Sequence, residues 1–229
     1  AFYAAMWRSL EETGAWQGEI WNRRKNGETY PEWLGITAVK NEAGQVTNYI
    51  GTLTDITQRK AAEAEIERLA FYDALTGLPN RVLFDEHVAA TLALARRNST
   101  KFGLMFIDLD KFKSVNASFG LMRGDSLLLT VARRLQRHLG PHDTVARVGG
   151  DQFAMLFISE QDARNLAALA ERVRRSLRAP IPLANQEIVL TGSIGVAIWD
   201  DTLTSDDELL RDAELAMYRA KRGGADRIE

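Results

Sequence analysis

The chain holds 229 residues, 45% of them apolar, with a formal net charge of −2 and no cysteine. That apolar content can build one large or two modest cores, while the near-neutral charge excludes broad nucleic-acid binding and leaves any phosphate ligand to a local site. The missing thiols exclude disulfides, thiolate zinc sites and a flavin–cysteinyl adduct; no run approaches the ~18 apolar residues of a membrane span, and no signal peptide is visible. The chain opens at Ala1 without an initiator Met and ends in a strand-like run at Glu229, which reads as a piece of a longer protein with room for a further C-terminal domain.

An opening stretch with Phe2, Met6, Trp7 and Leu10 predicts a helix. Gln17 to Arg24, Thr29 to Lys40 and Val46 to Thr54 then read as strands, separated by turn signals at Lys25-Asn26-Gly27 and Asn41-Glu42-Ala43-Gly44. Together they predict a three-strand meander. Gln58 to Tyr72 is charged, alanine-rich and free of Gly and Pro, which favours helix. Its apolar stripe of Ala62, Ile66 and Leu69 spans about two heptads, which leaves open both a solvated connector and a short coiled coil.

Asp73 to Arg81 punctuates the chain, and Pro79 suits a first helical turn. Leu83, Phe84, Val88, Leu92 and Ala95 form the buried face of the helix that follows. Phe102 to Leu109 reads as a strand, Lys111 to Ser118 as a short helix, and Gly124 to Leu139 as a longer one with Leu127, Leu128, Val131 and Leu135 inward. Thr144-Val145-Ala146 and Phe153 to Ile158 read as a hairpin around Gly149 and Gly150, since glycine reaches positive φ without a Cβ clash. Gln161 to Arg178 is predicted helical, and Glu187 to Trp199 a strand broken by Gly192 and Gly195. Ser205-Asp206-Asp207-Glu208 is a capping box for a final helix to about Lys221. Alternating strands and helices with one hairpin imply an α/β sandwich with helices on a mixed sheet.

Two acidic strand ends carry the candidate chemistry. Asp108 and Asp110 stand two apart, so period-two geometry puts both carboxylates on one face. Alone, such a pair is as well read as a helix cap, and Asp151 at the hairpin tip as a solvated acid. Taken together, acids from adjacent strand ends can share a cation, and magnesium needs only one or two carboxylates beside phosphate and water oxygens. Asp110-Lys111-Phe112-Lys113-Ser114 passes from strand into helix, and the free N–H groups of a helix start suit an anion. His87, His138 and His142 share no ligand spacing.

The motif Arg147-Val148-Gly149-Gly150-Asp151-Gln152-Phe153 resembles the signature of the GGDEF family of diguanylate cyclases, with glutamine in the fourth position where the family has glutamate. Asp73-Ala74-Leu75-Thr76-Gly77-Leu78-Pro79-Asn80-Arg81 resembles that family's opening motif, and the order of elements is similar to it across 73–229. Trp16 to Gly27, closing at Asp55-Ile56-Thr57, resembles the C-terminal half of a PAS sensor domain. The resemblances imply a PAS part at 1–57, a linker helix at 58–72 and a palm-like, nucleotidyl-cyclase-type domain at 73–229. They imply condensation of two GTP to cyclic di-GMP and pyrophosphate by a cytoplasmic homodimer, with Mg²⁺ or Mn²⁺ as cofactor. The rival implication is a weak or inactive GTP-binding domain that regulates a partner or a downstream phosphodiesterase.

The family's roles carry over position by position. The metal ligands are Asp108, the carbonyl of Leu109 and Asp151, and Asp151 and Gln152 hold the catalytic positions. The backbone at Phe112 and Lys113, with the Lys221 side chain, meets the phosphates, while Asn116 and Asp125 read guanine. Asn116 lies eight positions after Asp108 and Asp125 seventeen, the family's register without gaps. Asp110 is left as structural, a cap for the following helix. An arginine that normally follows Lys221 is Ala225 here, with Arg222 and Arg227 near it. Of the family's inhibitory site only Asp143 is present, its arginine partner being Gly140. Glycine cannot supply the bidentate, stacking guanidinium.

Overall fold

The computed structural model describes residues 2–158, 163–183, 186–199 and 206–229. It divides into two compact units, Ala1–Arg68 and Leu69–Glu229.

In the first unit, α1 (Phe2–Thr13) buries Met6 and Leu10. It leads into an antiparallel meander of β1 (Ala15–Arg23), β2 (Thr29–Lys40) and β3 (Val46–Asp55). The reversals fall at Gly27 and Gly44, whose φ angles of 90° and 78° explain why the turn signals carry glycine. Buried Glu32 accepts from Tyr30 Oη at 2.6 Å, and Pro31 O accepts from Ile56 N at 3.1 Å. All of β3 is exposed. The linker helix α2 (Thr57–Phe71) buries no residue, and Ile66 and Leu69 of its stripe are exposed. The division between units falls inside it, at Arg68/Leu69.

The second unit runs α3 (Arg81–Asn98), β4 (Phe102–Leu109), α4 (Phe112–Phe119), α5 (Leu121–Gln136), β5 (Thr144–Arg147), β6 (Gln152–Phe157), α6 (Ala163–Arg178), β7 (Ile181–Leu183), β8 (Gln186–Ile188), β9 (Gly192–Trp199) and α7 (Asp206–Arg222). Its main sheet has the order β5-β6-β4-β9, every strand pair antiparallel. Among the described residues its parallel component is the single bridge Ile194–Ile228. Every residue of the central strand β4 is buried, because helices cover both faces. Met105, Ile107 and Leu109 join a core with α5 and α6, whereas Phe102, Leu104 and Phe106 join one with α3 and α7. Side-chain parity along β4 therefore decides which helices a residue meets, and Asp108 shares its parity with Phe106 on the α7 side.

Local chemistry sets the helix ends. Asn80 caps α3, accepting from Leu83 N at 3.1 Å, while its amide donates to Ala70 O at 2.8 Å. Arg134 closes the far end of α6 by donating to the carbonyls of Ser176, Leu177, Ala179 and Pro180, a cation where the helix dipole is negative.

Several sequence expectations need correction. Gly195 does not break its strand: it lies within β9, and an added Cβ would fall 2.1 Å from Met217 N and 2.2 Å from Ala213 O. Its role is to admit α7 to the sheet. The expected strand start at Glu187 belongs instead to a small hairpin, β7–β8. The long helix begins at Leu121, not Gly124, directly after Gly120 (φ 84°) ends α4. Gln161 and Ser205 lie outside the described residues. No helix among the described residues is long and apolar enough to cross a membrane.

Candidate functional site

The candidate site lies at the ends of β4 and β6, where the last turn of α7 approaches the sheet. Antiparallel register puts Gln152 directly opposite Asp108. Cross-strand partners share a face, so it is the Gln152 side chain that meets the carboxylate: Nε2 donates to Asp108 Oδ2 at 2.9 Å. A carboxylate accepts only, which fixes the amide nitrogen on that side. From the other side Lys221 Nζ donates to Asp108 Oδ1 at 2.6 Å. Burial lowers the affinity of Lys221 for its proton, but the hydrogen bond to Asp108 and the charges of Asp108, Asp151 and Asp110 outweigh this and raise its pKa.

Asp151 sits one residue before β6, and its backbone carbonyl accepts from Leu109 N at 3.0 Å. The structure thus sets Asp151 at the hairpin tip and Gln152 against Asp108. Asp110 carries the period of β4 one residue past its end: its N–H donates to Thr191 O at 2.9 Å, and its carboxylate binds Ser193, the cross-strand partner of Asp108, so the two acids lie on one face. The chain turns sharply only at Lys111, whose φ is 56°. Buried Asp110 accepts from Thr191 Oγ1 and Ser193 Oγ, each at 2.7 Å, and from Asp226 N at 2.9 Å. It does not cap α4. The N-cap of that helix is Lys111, with no side-chain cap bond. Asp110 ties three chain segments together and is a structural residue in another place than expected.

The N–H groups of Phe112 and Lys113 open α4, where no preceding turn can satisfy them. Phe112 is buried and Lys113 exposed. Asn116, one turn on, carries a buried Oδ1 with no hydrogen-bond partner among the described residues, an arrangement that costs free energy unless a donor arrives. It packs on Gly124 of α5: a Cβ there would lie 1.8 Å from Asn116 Oδ1 and 3.3 Å from Phe112 Cζ. Asp125, the next residue, is exposed. The pair thus brackets the α4–α5 junction, one oxygen buried and wanting a donor, one carboxylate free to accept.

Asp143 is engaged away from this site. Oδ2 accepts from Gly140 N at 2.8 Å and Oδ1 from Ile158 N at 2.9 Å, so it closes the loop before β5. Of the arginines near Ala225, Arg227 donates to Gly223 O and pairs with Glu229, while Arg222 lies over the Tyr218 ring. Sequence reasoning missed Arg147. Its guanidinium donates to both oxygens of Asp73 at 3.1 Å and to Gly150 O at 2.7 and 3.1 Å, strapping the hairpin tip to the turn before α3. Burial raises the pKa of Asp73, but bonds from Thr76 and from Arg147 outweigh it and hold the carboxyl below its ordinary range.

A family model described as "Diguanylate cyclase, GGDEF domain" matches residues 70–227. The chain belongs to the GGDEF family. A PAS domain model matches residues 1–58, placing a PAS segment before the GGDEF domain. The chain is 37% identical over 168 residues to the bifunctional diguanylate cyclase/cyclic di-GMP phosphodiesterase MucR of Pseudomonas aeruginosa, a match that covers 73% of this chain and 24% of that protein. It is 36% identical over 160 residues to diguanylate cyclase TpbB of the same species, covering 69% of this chain and 37% of that one. The chain therefore spans well under half the length of these relatives. Among solved structures, the coiled coil and GGDEF domain of DgcB from Caulobacter crescentus, in complex with c-di-GMP, aligns with a TM-score of 0.68 at 29% identity, covering 76% of this chain and 92% of that one. The α/β GGDEF fold with its flanked sheet is thus shared, and a PAS segment precedes it in this chain.

Proposed function

We propose that the GGDEF domain binds GTP with a divalent cation, Mg²⁺ or Mn²⁺, and that two such domains, paired as a homodimer, condense two GTP to cyclic di-GMP. In this reaction the 3′-hydroxyl of each nucleotide attacks the α-phosphate of the other. Two phosphodiester bonds form, and two pyrophosphates leave. The observation that carries the reading is the meeting of Asp108, Gln152 and Lys221 at strand ends beside a helix start, with the unpartnered Asn116 oxygen close in sequence.

Asp108, the Leu109 carbonyl and Asp151 supply hard oxygen donors of the kind magnesium takes. That cation would offset the charge developing on attacking and leaving oxygens. Phe112 and Lys113 N–H groups and Lys221 receive phosphate, while Asn116 Oδ1 and Asp125 accept from guanine. We assign 1–57 to a PAS segment that regulates the cyclase, 58–72 to the linker and 73–229 to the GGDEF domain, working in the cytoplasm where GTP is found. Feedback through Asp143 is not expected, since Gly140 brings no guanidinium.

A second reading is favoured by one residue. Glutamine at 152 keeps the shape of glutamate but brings an uncharged amide to Asp108, which supports a slow cyclase or an inactive GTP-binding regulator of a partner or of a phosphodiesterase domain. Incubation of the protein with GTP and Mg²⁺, assayed for cyclic di-GMP and pyrophosphate, separates the two. For a weakened enzyme Gln152→Glu raises the rate by ~10²-fold or more at nearly unchanged GTP affinity. No product from either form, with GTP still bound, identifies the regulator.

A further inference from the structure

Lys221 is asked for in two places. On the functional reading just given, on which this inference rests, its ammonium belongs with the nucleotide phosphates. In the structure it lies instead on Asp108 Oδ1 at 2.6 Å, and the Gln152 amide holds Oδ2 at 2.9 Å. Both oxygens of a carboxylate only 5% exposed are therefore held by the protein's own donors. The two donors are not equivalent. The amide is neutral and gives up one hydrogen bond on leaving, whereas the ammonium is a compact cation neutralising the carboxylate. A divalent ion bound to Asp108 must take the ammonium's place, because two cations on one carboxylate repel each other strongly in a partly buried setting.

We infer that Lys221 is a resident counter-ion that competes with the divalent cation for Asp108 and passes to the nucleotide when metal and nucleotide enter together. The side chain is free to make that move. It stands in the last turn of α7, is 42% exposed, and has a flexible four-carbon stem. Without nucleotide, a lysine expelled by metal gains only water; with nucleotide present, it gains phosphate oxygens. Metal and nucleotide therefore favour each other's binding, and by linkage the coupling is reciprocal. The protein would hold metal poorly until its substrate arrives.

The test is Mn²⁺ binding to the full chain, followed by electron paramagnetic resonance of the free ion, with and without a non-reacting GTP analogue. Without nucleotide, Lys221→Met should tighten Mn²⁺ binding by about tenfold, the equivalent of about 1.4 kcal/mol, and Lys221→Arg, which keeps the charge, should retain the weak binding. The analogue should improve Mn²⁺ affinity far more in the natural protein than in Lys221→Met. Unchanged or weaker Mn²⁺ binding by Lys221→Met, in a protein with an unaltered melting point, overturns the exchange. Tighter Mn²⁺ binding by that variant in a protein that never forms cyclic di-GMP upholds the exchange while removing the cyclase reading. Cyclase activity alongside unaltered Mn²⁺ affinity in Lys221→Met rejects the exchange alone.

Discussion

Gly124 shows how one missing methyl group shapes the α4–α5 junction, the proposed base-reading end of the site. Its absent Cβ leaves the space that Asn116 Oδ1 occupies. Gly124→Ala should push the Asn116 side chain aside, since the clash is with the end of a side chain and not with backbone. Alanine also improves helix propensity by about 1 kcal/mol, which offsets part of the strain. The expected outcome is GTP affinity lowered roughly tenfold or more, by calorimetry, with a melting point little changed; unaltered GTP binding would detach Asn116 from nucleotide recognition. At Asp125 the chemistry predicts discrimination. Adenine lacks the N1–H and N2–H₂ donors that the carboxylate accepts on the proposed reading, so ATP should bind far more weakly than GTP. Asp108→Asn keeps the shape and removes the charge that Lys221 binds and that the proposed cation would need. It should abolish metal-dependent turnover, and a rate within about tenfold of the natural protein would refute the assignment.

At the scale of elements, two contacts hold the site's parts in register. The first is α7 on β9, where Gly195 lets the helix backbone come close enough for Lys221 to reach Asp108. A Cβ at 195 meets backbone atoms that cannot rotate away. Gly195→Ala should therefore destabilise the GGDEF domain by about 1–3 kcal/mol or more, read from denaturant midpoints. The second is the strap from Asp73 through Arg147 to Gly150. Because the folded state holds the Asp73 carboxyl below its ordinary 3.8, this bond stabilises above that pH and is lost as the pH falls through the lower folded value. Asp73→Asn should be less stable than the natural protein at neutral pH, and the two stability curves should draw together as the pH falls below the ordinary carboxylate range. Parallel curves over the whole acid range would remove the ion pair from the account.

Over the whole molecule the two units differ in what they bury. The GGDEF unit has cores on both faces of its sheet, with Phe84, Phe102, Phe106, Phe153 and Phe157 fully enclosed. The unit Ala1–Arg68 has few buried side chains and an entirely exposed β3, with Tyr49, Ile50 and Leu53 open to solvent. Surface-to-volume scaling makes so small a unit marginal. Residues 69–229 made alone should thus keep a cooperative calorimetric transition, whereas residues 1–68 alone should show none or a broad one. A sharp transition from 1–68 would contradict this.

Most strands and helices, and the candidate residues of the site, were legible in local sequence. Alternation, turn glycines and the Asn80 cap act over a few residues, and family signatures are contiguous strings. Asp108 and its neighbours were singled out for the same reason. What tertiary structure decided are pairings across long separations, for which local patterns hold no signal: Arg147 with Asp73, Lys221 with Asp108, Asp110 with Thr191, Ser193 and Asp226. Gly195 read as a strand breaker because glycine is a poor strand former, yet its purpose is set by a helix that arrives about twenty residues later. The sequence determined which carboxylates end the strands; only the antiparallel register of β4 and β6 decided that Gln152, and not Asp151, faces Asp108. Register is a property of two strands together, and a shift by one residue would have sent the other side chain to that face.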